Sequence, residues 1–172
     1  MVQLSERPVS KITNLQEKFI YEVGAMYDAE QRFWEAQQMM LQCCQNSQLK
    51  SLIETHIRET EQQIQNLEQV FNALGQQPKR ITCDAAAGLV SDGQKFMLLA
   101  AESQKVLTLG LAGCQAKVEQ LEIACYRGLI QVAEQMGQQK VVQLLQQNLQ
   151  QEEQTAKKIE QQMPQLLKEC KS

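Results

Sequence analysis

Histidine occurs once in the chain, at His56, and Glu59 follows it by one helical turn in the stretch THIRE. An imidazole and a carboxylate three residues apart share one face of a helix, where they can form a hydrogen-bonded pair or ligate a metal together. Four further acids, Glu30, Glu119, Glu122 and Glu152, lie among apolar residues at steps of three and four. That spacing turns an acid toward the same side as the core residues around it. Glu30 stands with Phe19, Val23, Met26 and Phe33, and His56 and Glu59 with Leu52, Gln63, Leu67 and Val70. Glu122 stands with Leu111, Val118, Cys125 and Leu129, Glu119 being on the adjoining face. Glu152 stands with Val141, Leu145, Leu149, Ala156 and Ile159. Taken singly, each acid reads as a solvated charge at a helix edge. The combination points to two divalent cations, because several carboxylates cannot stay ionised side by side in a dry core unaided. Four positive charges would face five carboxylates, with neutral His56 as nitrogen ligand. Oxygen donors with one imidazole suit iron first and manganese second, ahead of zinc or copper. A ferrous pair can give two electrons to peroxide or dioxygen. Tyr126, one turn beyond Glu122, and Tyr27, one turn before Glu30, are candidate outer hydrogen-bond donors or electron relays; packed tyrosines are the simpler reading.

The elements that must position these residues are helices. Prolines occur only at 8, 78 and 164, and Leu, Ala, Gln, Glu and Lys, all good helix formers, dominate. A first helix is expected from Thr13 or Asn14 to about Cys44, and a second from about Gln48 to Leu74, closed by Gly75 and Pro78. The next thirty residues read as a crossover with one shorter helix interrupted by glycines. A third long helix is expected from Lys105 to Met136, and a fourth from Gln138 until Pro164 disturbs it. Two hairpins joined by a long crossover make an all-α, antiparallel four-helix bundle of ferritin-like connectivity, with a fifth, shorter helix in the crossover. Axial register brings the acids together. At 1.5 Å per residue Glu30 lies ~24 Å before the first turn and Glu59 ~20 Å after it, while Glu122 and Glu152 lie ~22 Å either side of Gly137. They share one height near mid-bundle.

Composition excludes other classes. The 172 residues are expected to form one domain, 1–172, with residues 1–12 as a flexible N-terminal segment, and such a domain buries roughly 70% of its unfolded surface. Seventeen basic and twenty acidic residues, well mixed, give a net charge of −3 and no basic footprint for nucleic acid or a membrane surface. No apolar run approaches a membrane span, no signal-peptide pattern opens the chain, and a cytoplasmic location is expected. Six cysteines without a CxxC pair read as small apolar filler. The glutamine runs fall on solvated helix faces.

The segments YDAEQ, THIRETEQQIQNLEQVF, CDAAAGL and KVEQLEIACYRGL, in this order, resemble the bacterial YciE/YciF ferritin-like stress proteins. The resemblance spans about Leu15 to Ile159. It implies a ferritin-like bundle with a fifth short helix, a homodimer and a dinuclear iron site. Carried over by position, Glu30, His56, Glu59, Glu119, Glu122 and Glu152 match the site. Two positions depart from the family pattern: Gln120 stands where a histidine is common and Ala156 where an aspartate is common, and loss of that aspartate is expected to open or weaken a metal position. The expected function is ferrous oxidation with peroxide or dioxygen in stress protection, with a manganese catalase as a further possibility. The alternative is a non-enzymatic interaction or structural stress protein with a vestigial site. The crossover run Phe96, Met97, Leu98 and Leu99 offers apolar surface for the homodimer.

Overall fold

Local capping signals set where the helices begin and end. The computed structural model describes residues 11–171. Among them the chain forms α1 (Leu15–Cys43), α2 (Ser47–Ala73), α3 (Asp84–Leu99), α4 (Gln104–Gln135) and α5 (Gln139–Lys171), with no strand among the described residues. The expected flexible segment 1–12 lies outside the described residues except for Lys11 and Ile12, which belong to no helix. Asn14 caps α1: its side chain accepts from the Glu17 N–H at 2.9 Å, and the Glu17 carboxylate accepts from the Thr13 N–H at 2.8 Å. This is a reciprocal capping arrangement. Asn46 accepts from the Leu49 N–H at 3.0 Å to start α2. Gly75 and Gly137 close α2 and α4 at φ +68° and +70°. That left-handed conformation lets the Gln76 and Gln138 N–H groups reach back to the Phe71 and Ala133 carbonyls at 2.9 and 3.0 Å.

The long helices close a ring in which α1 touches α2 and α4, and α5 touches α2 and α4; α3 lies against α1 and α4. One apolar cluster joins Phe19 and Val23 near the start of α1, Leu67 and Val70 near the end of α2, Leu129 near the end of α4, and Val141 and Leu145 at the start of α5. A second joins the opposite ends through Met40, Leu49, Ile53, Leu111 and Ile159. Starts pack with ends throughout, so ring neighbours are antiparallel. Each of these large side chains contributes ~1.5–3 kcal/mol on burial. Between the clusters lies a buried polar band that includes Glu30, His56, Gln63, Glu119, Glu122, Asn148 and Glu152.

Two local expectations are corrected. The crossover helix runs unbroken through Gly88 and Gly93, because packing on α1 and α4 outweighs the ~1 kcal/mol that each glycine costs. Close approach needs a glycine on the other side of this contact: a Cβ on Gly110 of α4 would lie 1.8 Å from Cε1 of Phe96. The last helix likewise continues through Pro164 to Lys171. Proline removes one backbone donor, yet Leu166 beyond it is 4% exposed and anchored in the second apolar cluster.

Asp28 fastens the crossover to α1. It accepts from Arg32 at 2.6 Å, from Arg80 at 2.9 and 2.8 Å, and from the Cys83 N–H at 2.8 Å. No helix among the described residues is long and apolar enough to cross a membrane.

Candidate metal centre

Because the two hairpins are antiparallel and their turns are tight, the mid-points of the four long helices meet at one height. His56 from α2, Glu119 and Glu122 from α4 and Glu152 from α5 each present a ligand atom within 4.8 Å of the others, and all four residues are buried. His56 Nε2 lies 3.0 Å from Glu119 and 3.9 Å from Glu152. Glu30 completes the group from α1: it is 0% exposed, and its carboxyl adjoins that of Glu122. Glu59 is placed differently. Its side chain keeps 20% of its surface in solvent, and its Oε2 faces His56 Nδ1 at 3.5 Å from the rim of the cluster.

Donors behind the cluster fix one oxygen of three of these acids. Tyr126 donates its hydroxyl to Glu30 Oε1, Gln63 donates its amide to Glu152 Oε1, and Gln115 donates to Glu119 Oε1 at 2.6 Å. Asn148 holds this arrangement together, donating to the Tyr126 hydroxyl at 3.0 Å and to the Gln63 carbonyl at 3.2 Å while accepting from Asn66 at 2.7 Å. The other oxygens of Glu30, Glu119 and Glu152, one oxygen of Glu122 and both ring nitrogens of His56 are buried without an aligned hydrogen-bond partner. Orienting one ligand atom with an outer hydrogen bond and leaving the other bare is how proteins prepare metal ligands. Such bare atoms are costly in a core that offers them nothing to bind. The donor set therefore fits hard divalent cations.

The charges respond to this crowding. Burial pushes Glu30 up to about 7, against the pull of the Tyr126 hydroxyl and His56. Burial, then the charges of neighbouring carboxylates, pushes Glu122 and Glu152 well above the carboxylate range. For His56, burial alone would favour the neutral ring, but the Glu119 charge and hydrogen bonding, with Glu59 and Glu30, raise it to about 9. Glu119 is lowered: burial opposes the shift and His56 outweighs it. Burial and mutual repulsion thus favour the protonated forms of Glu122 and Glu152 beside the His56–Glu119 pair, and a cation entering the centre competes with protons there.

Tyr126 lies at the centre, with its hydroxyl on Glu30. Tyr27 does not: its hydroxyl turns outward to Glu68 at 2.8 Å, and its ring meets Phe71 edge-on, with centroids 5.9 Å apart. The two departures from the family pattern also lie elsewhere. Gln120 and Ala156 both line an outer groove between α4 and α5, outside the set of clustered ligand atoms. Glu152 is followed on the buried side by Thr155 instead, which donates to Glu59 at 3.2 Å. Gln63 falls on the inward stripe of α2 without a role assigned to it, and sequence reasoning misses Gln115 and Asn148; the available signal is a polar residue at helical spacing within each apolar stripe.

A family profile described as a domain of unknown function, DUF892, matches residues 14–170. The chain belongs to the DUF892 family. Among DUF892 relatives and similar structures, the chain is 30% identical to Protein YciF of Escherichia coli (strain K12) over 146 residues, 84% of this chain and 87% of that protein. The crystal structure of the E. coli stress protein YciF superposes with a TM-score of 0.84 at 27% identity, covering 91% of this chain and 99% of that one. YcfI of Rhodopseudomonas palustris, provisionally described as a structural protein, also superposes with a TM-score of 0.84, at 30% identity over 88% of this chain and 96% of that one. A protein of Xanthomonas campestris pv. campestris shares the fold at a TM-score of 0.70.

Proposed function

We propose that this DUF892 protein is a dinuclear metal carboxylate protein that oxidises ferrous iron with peroxide or dioxygen as a protection against stress. One observation carries the reading: four buried carboxylates from three helices each turn a bare oxygen, beside the His56 imidazole, into a single mid-bundle cluster. Glu30, His56, Glu119, Glu122 and Glu152 would hold the ions, and two divalent cations balance the four buried carboxylates. What iron would supply there is a pair of electrons, one from each ion, for reduction of the oxidant.

The chain's own groups do the rest. Gln63, Gln115 and Tyr126 hold the carboxylates against rotation, so the site needs little reorganisation when charge changes. The apolar clusters above and below keep bulk water out. The carboxyls of Glu122 and Glu152, whose protonated forms burial favours, and the Tyr126 hydroxyl would be the proton stores next to the centre.

A second reading, favoured by the description of the R. palustris relative as a structural protein, is a bundle whose site no longer turns over. Anaerobic loading with ferrous iron, followed by peroxide or dioxygen, separates the two. The ferroxidase reading expects two ferrous ions consumed per peroxide, faster than in a protein-free control. A rate equal to that control favours the structural reading. Rapid evolution of oxygen from peroxide by manganese-loaded protein would instead indicate a catalase.

A further inference from the structure

The ligand atoms of the cluster are sealed: Glu30, Glu119 and Glu152 are 0% exposed, and His56 and Glu122 are 1% exposed. A cation from solvent needs a path to them, and three clefts along the bundle differ in chemistry. The cavity beneath α3 is walled by Phe33, Met40 and Leu111 and offers a hydrated ion no charge. The α4–α5 groove carries Arg127 and Lys157 together with Glu153 and Glu160, and no residue of the cluster lines it. The third, a cleft of about 230 Å³ between α2 and α5, is walled by the hydroxyl residues Ser51, Thr55 and Thr155, by Gln162 and by Lys158, with Glu59 among its lining residues.

Glu59 connects this cleft with the cluster. Its Oε2 is 3.5 Å from Nδ1 of His56, a nitrogen that is buried and lacks an aligned partner. The same oxygen accepts from Thr155 at 3.2 Å, a bond that holds the carboxylate at the seam. Gln162 adds a buried carbonyl oxygen without a partner. Hydroxyl and amide oxygens can replace water around a hard cation, and a carboxylate at the end of such a lining receives it. Glu59 thus lies both in the lining of the cleft and against the imidazole of the cluster. Lys158, in the same lining, opposes an incoming positive charge.

We infer that the α2–α5 cleft is the port through which divalent cations load the centre, with Glu59 as the receiving carboxylate and Lys158 as the charge that restrains passage. The inference rests on the reading of the cluster as a metal centre, and it gives Glu59 a role in transfer, distinct from that of the sealed ligands.

Stopped-flow absorbance of the full-length metal-free protein mixed with cobalt(II) chloride tests the port, with final cobalt per chain measured on the same samples. Circular dichroism checks that each variant is folded. Glu59→Gln should slow loading about tenfold, as expected when a steering charge is lost, and Ser51→Trp, which obstructs the cleft without touching a ligand, should slow it too. Lys158→Gln should load about two- to threefold faster at low salt, with the gain shrinking at high ionic strength. Wild-type rates in all three variants would overturn the port. So would a lower final cobalt content in Glu59→Gln with unchanged rates in Ser51→Trp and Lys158→Gln, since Glu59 would then be a resident ligand fed from elsewhere. No cobalt uptake by the wild type would remove the metal centre itself, and the port with it.

Discussion

A conservative change at the most buried acid of α1 should make the metal-free protein more stable while impairing its site. Glu30 is 0% exposed, and burial raises it from 4.5 to about 7. For an acid whose folded pKa lies above its unfolded value, the folded state binds the proton more tightly. Stability is therefore fully present below about 4.5 and is lost as pH rises through about 7. At 1.36 kcal/mol per unit, the loss at pH 8 is about 3 kcal/mol. Glu30→Gln cannot ionise, keeps an oxygen to accept the Tyr126 hydroxyl, and escapes this loss. The negative charge of Glu30 also supports His56, which returns part of the gain, so the net stabilisation expected at pH 8 is about 2 kcal/mol. At pH 5 it should be close to zero. Urea unfolding of chelator-treated protein, followed by fluorescence of the single tryptophan, Trp34, measures both. Added manganese should then stabilise the wild type more than the variant. A variant less stable than the wild type at both pH values, or a difference independent of pH, would refute the reasoning.

Further outcomes follow from other contacts. Asp28→Ala should cost about 2 kcal/mol, because it strands the Cys83 N–H and parts two arginines from their acid; thermal unfolding reads the loss directly. Burial alone would raise Asp28, but Arg32, the Cys83 N–H and Arg80 together lower it, so its contribution is present above about 3.8 and lost as pH falls below, and wild-type and variant melting temperatures should converge in acid. His56→Ala should lower metal content with helix content unchanged by circular dichroism. In the wild type, metal affinity should fall as pH drops below about 9, where a proton competes for the imidazole; affinity flat from pH 9 to 6 would remove His56 as a ligand. Leu98 and Leu99 are each 81% exposed at the end of α3, and we expect them to support a homodimer, seen by light scattering at micromolar concentration and weakened by Leu98→Glu; a monomeric wild type would contradict this.

Much of the bundle was legible because its punctuation is local. Asn14, Asn46, Gly75 and Gly137 act within a turn of where they stand, so helix ends and hence axial heights could be read from spacing alone. The meeting of Glu30, His56, Glu119, Glu122 and Glu152 then depended only on the antiparallel hairpins. Rotation about each helix axis was harder to read. Thr155 and Ala156 differ by 100° around α5, and packing turned Thr155 inward and Ala156 to an outer groove. The same ambiguity sent Tyr27 to Glu68 and left Glu59 at a rim. Gln63 falls on the inward stripe of its helix, but Gln115 and Asn148 were hidden by abundance, since buried amides look no different from the many polar amides on solvated faces. Pro164 and the glycines of α3 carried strong local signals that tertiary contacts through Leu166 and Phe96 overrode.

The central claim is that the buried carboxylates and imidazole form a dinuclear metal centre, and counting metal tests it most directly. Protein loaded anaerobically with ferrous iron, desalted and analysed for iron per chain should retain close to two ions in the wild type. The Glu119→Gln/Glu122→Gln variant, which keeps the shapes and hydrogen-bonding oxygens of both side chains but removes their charges, should retain about a tenth of that or less. Less than one ion per chain in the wild type, or equal iron in wild type and variant, would contradict the account.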